Sequence, residues 1–172
     1  MGLPGPARAA GVNAAPSPDL RGRSVWVHVL GCRSNLCEGD FLAGDLEARG
    51  ALVTRDPEGC SAAVIVSCSV TAEADRKCRQ AVRRARRTVG EAGVVAVCGC
   101  WAQGAAADEA RKLGADILVG NRRKGELTDA LEAMVRDGRA FRDLRSDLLR
   151  DRRWEELPAV RSEEHTSELQ SR

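Results

Sequence analysis

The chain has 172 residues, 43% of them hydrophobic and 30% charged, which is enough for one domain with a real core and little else. Its 27 basic and 25 acidic residues leave a net charge of +2, so charge alone does not require a polyanionic partner. No run approaches the length of a membrane span, residues 1–18 lack the apolar centre of a secretory signal, and Pro4 and Pro6 stand where a myristoylation signal needs a different pattern.

Residues 1–22, rich in Pro, Gly and Ala without apolar period, are expected to form a disordered leader. From Ser24 apolar runs alternate with amphipathic stretches. Strands are expected near 24–30, 51–54, 62–67, 93–98 and 115–119, with helices near 36–49, 72–89, 104–112 and 122–136. Alternating β and α with short links implies an α/β fold, a parallel sheet covered by helices on both faces. Right-handed crossovers make the flavodoxin-like doubly wound order 2-1-3-4-5 the natural topology, in a domain running from 23 to 137. Thr71 is placed to cap the second helix, Glu73 and Asp75 suit its positive end, and "RRARR" at 83–87 suits its negative end. After residue 137 the βα rhythm stops, so 138–160 reads as a connector leaving the domain.

Seven cysteines in a chain without a secretory signal imply a cytosolic, reducing setting, where thiols serve as ligands, catalysts or core filler. Cys32 follows the first expected strand, Cys68 the third and Cys100 the fourth. In the order 2-1-3-4-5 these strands are adjacent, and two gaps of ~4.8 Å bring the outer pair to roughly 10 Å. Each cysteine lies about one βαβ unit, ~30 residues, after the last. Three thiolates suit a cubane iron–sulfur cluster whose fourth iron has no protein ligand, and an open position invites an exogenous ligand. The competing reading is three small residues that happen to occupy turns. Cys98 reads as core, Cys78 as part of the second helix, Cys60 as a turn residue, and Cys37 as a rival ligand one turn into the first helix.

Around the three thiols, Asn35 and Gln103 are candidates to hydrogen-bond sulfur or loop backbone. Gly31 and Gly99 precede two of the cysteines and permit close backbone approach. Trp101 either shields the site or caps the core. Asn121 lies at the same sheet edge and turns the chain into the last helix. All but three of the basic residues are arginine, the lysines being Lys77, Lys112 and Lys124. This fits either phosphate recognition or GC-rich coding. Arg79, Arg83, Arg84, Arg86 and Arg87 on the second helix are either RNA phosphate contacts or a solvated face.

The motifs "LGCRSN", "VSCSVTAEADRKCRQAVRRARR", "CGCWAQ" and "VGNRRKGEL" together resemble the N-terminal domain of the radical-SAM methylthiotransferases, over about residues 24–160. They are most similar to the branch acting on threonylcarbamoyladenosine beside the tRNA anticodon. The resemblance implies that Cys32, Cys68 and Cys100 ligate an auxiliary [4Fe–4S] cluster that holds or supplies the inserted sulfur. It implies, for the complete protein, a second [4Fe–4S] cluster, S-adenosylmethionine, tRNA as partner, a sulfur donor and an electron donor, in the cytoplasm and away from membranes. No cysteine follows Cys100, so the radical-SAM C-x-x-x-C-x-x-C motif has no counterpart in this chain. Thr71, Asp75 and Arg76 match a family stretch but read as capping and ion pairing. Residues 161–172 resemble the translation of a sequencing adapter, so the natural protein is expected to continue beyond Val160 and this fragment alone to be inactive. Sister branches acting on isopentenyladenosine in tRNA or on a ribosomal-protein aspartate, a non-enzymatic partner-binding domain, and a cysteine-ligated zinc regulator are the other readings. The loops lack a G-x-G-x-x-G fingerprint, and structural zinc prefers four ligands.

Overall fold

The computed structural model describes residues 19–138 and 140–146. Strand β1 (Ser24–Val29) leads into helix α1 (Arg33–Ala48), strand β2 (Leu52–Thr54) and strand β3 (Ala62–Ser67). Helix α2 (Ala72–Val89), strand β4 (Val94–Gly99), and helices α3 (Cys100–Gly104) and α4 (Ala107–Leu113) follow. Strand β5 (Ile117–Val119), a 3-10 turn (Lys124–Glu126), helix α5 (Leu127–Asp137) and strand β6 (Arg142–Leu144) complete the described chain.

All strands are parallel and stand in the order β2-β1-β3-β4-β5-β6. The expected doubly wound order is therefore present, extended at one edge by β6. That strand lies in the stretch read from sequence as a connector: Arg142–Leu144 pairs with Ile117–Val119 although only three residues show strand character. Such a short edge strand has no period long enough to detect. Most of the expected leader and connector, and all of residues 161–172, lie outside the described residues.

Period-two alternation divides each strand between two cores. Val25, Val64, Val66, Ala96, Cys98, Ile117 and Val119 face α1 and α5, where Phe41, Leu42, Leu46, Leu127, Leu131 and Met134 meet them. Trp26, Ala63, Ile65, Val95, Val97 and Leu118 face α2 and α4. β3 and β4 are buried at every position, as a central strand covered on both faces must be. Cys78, Ala81, Val82, Ala85 and Val89 form the inward stripe of α2 at helical spacing.

Three helix boundaries depart from expectation for local reasons. α1 begins at Arg33, because extended Cys32 (φ −86°, ψ 175°) serves as its N-cap. The helix expected at 104–112 begins at Ala107 as α4, and a short helix that was not expected, α3, precedes it, the two separated by extended Ala105 and Ala106. Arg145 donates to the carbonyls of Ala105 and Ala102, which closes α3 there. The last helix opens with the 3-10 turn before continuing as α5.

The edge of the sheet remote from the strand ends is fastened by arginines. Arg86 donates to the carbonyls of Gly90, Gly93 and Gly114 and pairs with Asp116, whose carboxylate also accepts from the amide of Val95 at 2.8 Å. Arg49 is buried against Asp45, Asp129 and Glu132 and joins α1 to α5.

Candidate metal centre

Strand register determines which residues meet at the carboxyl edge. Val29, Val66, Cys98 and Val119 form one row across β1, β3, β4 and β5. Two residues beyond that row stand Cys68, Cys100 and Asn121, and three residues beyond it stands Cys32. Strand order reverses between β1 and β3, so the Cys32 and Cys68 loops flank the switch point where open α/β sheets bind ligands.

Two side chains join the three loops. Asn35, buried in the first turn of α1, donates from Nδ2 to the carbonyls of Leu30 at 2.6 Å and Ser67 at 3.2 Å. Its Oδ1 accepts from the Cys32 thiol at 3.7 Å. Ser67, fully buried, donates to the carbonyl of Cys98 and accepts from the amide of Ala102 at 3.3 Å. The backbone itself makes the remaining contact. Gly31 holds φ +105°, and a Cβ there would overlap that of Cys68 and lie 2.9 Å from its sulfur. A Cβ on Gly99, at φ +99°, would overlap the carbonyl oxygen of Ser67. Both glycines thus allow close packing between neighbouring loops.

Cys32 is exposed, Cys100 half-buried, and Cys68 buried at the centre of the row. A hollow of about 270 Å³ beside Cys68 is lined by Leu30, Gly31, Thr71, Glu73, Ala74 and Lys77, and by neither Cys32 nor Cys100. Cys32 is the N-cap residue of the sixteen-residue α1 and makes no side-chain cap hydrogen bond. The remaining thiols divide sharply. Burial pushes Cys78 and Cys98 up to about 12, and burial together with nearby Asp56 raises Cys60, so all three stay protonated at neutral pH. Cys37 is exposed on α1.

Among the described residues no three His, Cys, Asp or Glu side chains are gathered tightly enough to hold a single ion. A cubane imposes a different spacing, because each thiolate binds its own iron. The donor chemistry at this edge, one thiol from each of three loops with glycine backbone approaching Cys68, is of the kind such a group takes.

The other residues singled out in the sequence find definite places. Thr71 caps α2 by accepting from the Ala74 amide at 3.1 Å, Asp75 pairs with Arg79, and Arg76 with Glu73. Trp101 is buried in the core beneath α2 and α4, so it caps that core. Gln103 binds backbone and not sulfur: it accepts from the Asn121 amide at 3.1 Å and donates to the Ser146 carbonyl at 3.0 Å. Arg86 and Arg79 are committed to internal pairs, and Arg84 lies 5.5 Å from the Trp26 ring centroid. Of the arginine set on α2, Arg83, Arg84 and Arg87 are exposed.

Sequence reasoning missed Ser67 and the ion pair of Lys124 with Glu38, 2.5 Å apart and both largely buried over the Cys98 face. A serine closing a fully apolar strand was the available signal for the first. The second joins residues 86 apart and left none.

The fold and this edge define a doubly wound α/β domain that presents thiols from three consecutive βα loops around a switch point. The family model described as "Uncharacterized protein family UPF0004" matches residues 24–120, and the chain belongs to that family. It is similar to threonylcarbamoyladenosine tRNA methylthiotransferases named MtaB. That of Aquifex aeolicus is 38% identical over 108 residues, covering 63% of this chain and 26% of the relative. That of Thermotoga maritima is 31% identical over 113 residues, 65% of this chain and 25% of the relative. That of Bacillus subtilis is 29% identical over 134 residues, 78% of this chain and 29% of the relative. The chain thus spans about a quarter of the length of the curated relatives it matches, and the resemblance read from its motifs is met. Among the described residues no helix is long and apolar enough to cross a membrane.

Proposed function

We propose that this chain is the auxiliary-cluster domain of a tRNA methylthiotransferase, with Cys32, Cys68 and Cys100 as the three protein ligands of a [4Fe–4S] cluster. The observation that carries the reading is the register row. Cys68 and Cys100 stand two residues beyond it on adjacent strands, and Cys32 stands beyond the neighbouring strand across the switch point. The names of the relatives support threonylcarbamoyladenosine in tRNA as the nucleoside and methylthiolation as the reaction; C2 as its position is what the motif resemblance implies.

When bound, the cluster would supply sulfur for insertion at its iron without a protein ligand. The chain's own residues would hold it and shape its surroundings. Asn35 and Ser67 keep the three loops in register, and Gly31 lets the first loop close on Cys68. In the complete protein a second [4Fe–4S] cluster with S-adenosylmethionine, a sulfur donor and an electron donor would act together with this domain, in the cytoplasm.

The test is anaerobic reconstitution of the chain with iron and sulfide, followed by ultraviolet-visible and Mössbauer spectroscopy. A [4Fe–4S] signature is expected in the parent and in Cys37→Ala. It should be lost when Cys32, Cys68 and Cys100 are all changed to alanine. Equal iron in parent and triple variant, or iron in neither, would refute the assignment.

A further inference from the structure

The three amide side chains at the carboxyl edge differ in what they have left to offer a sulfur. Asn35 has two N–H donors, and both are spent on the carbonyls of Leu30 and Ser67. Gln103 is held at both ends by backbone, its oxygen on the Asn121 amide and its nitrogen on the Ser146 carbonyl. Asn121 alone of the three directs its Nδ2 toward a ligand candidate, 3.9 Å from the Cys100 sulfur, at the long end of an N–H···S contact. Its Oδ1 is buried without a hydrogen-bond partner. A thiolate accepts and cannot donate, so an anionic Cys100 requires this orientation of the amide.

Resting on the cluster reading above, we propose that Asn121, held in place by Gln103, is the positioning residue that donates a hydrogen bond to the Cys100 sulfur and thereby sets the cluster's reduction potential. Reduction adds one electron to the cluster and places more charge on its thiolates. A donor at one of them therefore favours the reduced state. Gln103 fixes the Asn121 backbone, and Gly120 leaves the room its oxygen needs, since a Cβ there would overlap Gln103 Oε1. The same glutamine holds Ser146, just past β6, so the chain leaving the sheet is fastened to the loop that aims the donor. Of the two roles the sequence offered Gln103, sulfur partner or loop-backbone partner, the second is the one it fills.

The experiment is a dithionite titration of the reconstituted full chain with mediator dyes, read by electron paramagnetic resonance of the one-electron-reduced cluster. Asn121→Ala is expected to lower the reduced-to-oxidised ratio at a fixed potential three- to tenfold, tenfold being ~59 mV for a one-electron couple. The isosteric Asn121→Asp, which replaces the donor by a like charge, should lower it further. Asn121→Ser, which keeps a short donor, should restore part of the loss. Ratios within twofold of the parent in both Ala and Asp variants would overturn the inference while leaving the cluster reading intact. A parent that forms no cluster would overturn both. If neither Asn121 variant holds a cluster, Gln103→Ala decides: a fall in the same direction supports the assignment, and an unchanged ratio refutes it.

Discussion

Gly31→Ala probes the closest approach between two of the candidate ligand loops. The substitution asks an alanine to hold φ +105° and to place its methyl against the Cβ and sulfur of Cys68. Leaving the region that L-residues favour costs ~1–2 kcal/mol, and forcing a methyl into a filled contact costs a further ~1–3 kcal/mol. Against this, alanine stiffens the unfolded chain and returns ~0.4–1 kcal/mol. The net expectation is a loss of about 1–4.6 kcal/mol. Gly59→Ala separates the terms, since Gly59 also has positive φ, +72°, but nothing lies within 4 Å of its would-be methyl. It should lose no more than about 1.5 kcal/mol. Urea unfolding of the metal-free chain, followed by circular dichroism with the m-value checked for constancy, measures both. If the two variants differ by less than about 0.5 kcal/mol, the loops do not depend on the missing side chain and the argument for close packing at Cys68 fails.

Alkylation of the native protein at pH 9 should label Cys32 and Cys37 and leave Cys78 and Cys98 unmodified until denaturant is added, because burial holds the last two near 12; mass spectrometry after digestion reads the sites. Lys124→Met leaves the Glu38 carboxylate without its ion-pair partner and should cost about 3–5 kcal/mol in chemical denaturation, much of it recovered in Lys124→Met with Glu38→Leu. A double variant as unstable as the single would show that the pair is not the cause. Desolvation, then repulsion from Arg84, holds His28 below the usual histidine range. The unfolded chain therefore binds the extra proton first, and stability from this residue, full above about pH 6.5, should fall as pH drops through the depressed folded value. Stability measured from pH 7.5 to 4.5 should show that fall and lose its His28 component in His28→Gln; an identical profile would refute it.

The parallel order and the place of each thiol were legible because both follow from periodicity and chain direction. Apolar runs ending at Cys32, Cys68 and Cys100 need only be adjacent for their ends to meet. β6 was not legible, since Arg142–Leu144 alternates too briefly and gains its place by pairing with β5. Nor was the break between α3 and α4, which depends on Arg145 arriving from 40 residues downstream to take the Ala105 carbonyl. The arginines of α2 carry the same lesson in reverse. "RRARR" reads as one cationic run, yet Arg86 is turned inward among three backbone carbonyls and a carboxylate while its neighbours Arg83 and Arg87 are exposed.

Those long-range contacts fall into two groups with different physical purposes. At the remote edge, Arg49 and Arg86 are charged and multidentate; their work is to close helix ends and loops against desolvation, and guanidinium forks satisfy several carbonyls at once. At the carboxyl edge the connectors Asn35, Ser67, Gln103 and Asn121 are neutral and short. A cation bonded directly to a sulfur would compete with iron for thiolate charge, whereas a hydroxyl or amide can fix a loop and leave that charge available; Arg145, the charged clamp at this edge, takes the carbonyls of Ala102 and Ala105. Ser67 illustrates the economy of that choice. One buried hydroxyl ties β3 to the carbonyl of Cys98 and to the first turn of α3, so the Cys68 and Cys100 loops share a single uncharged anchor.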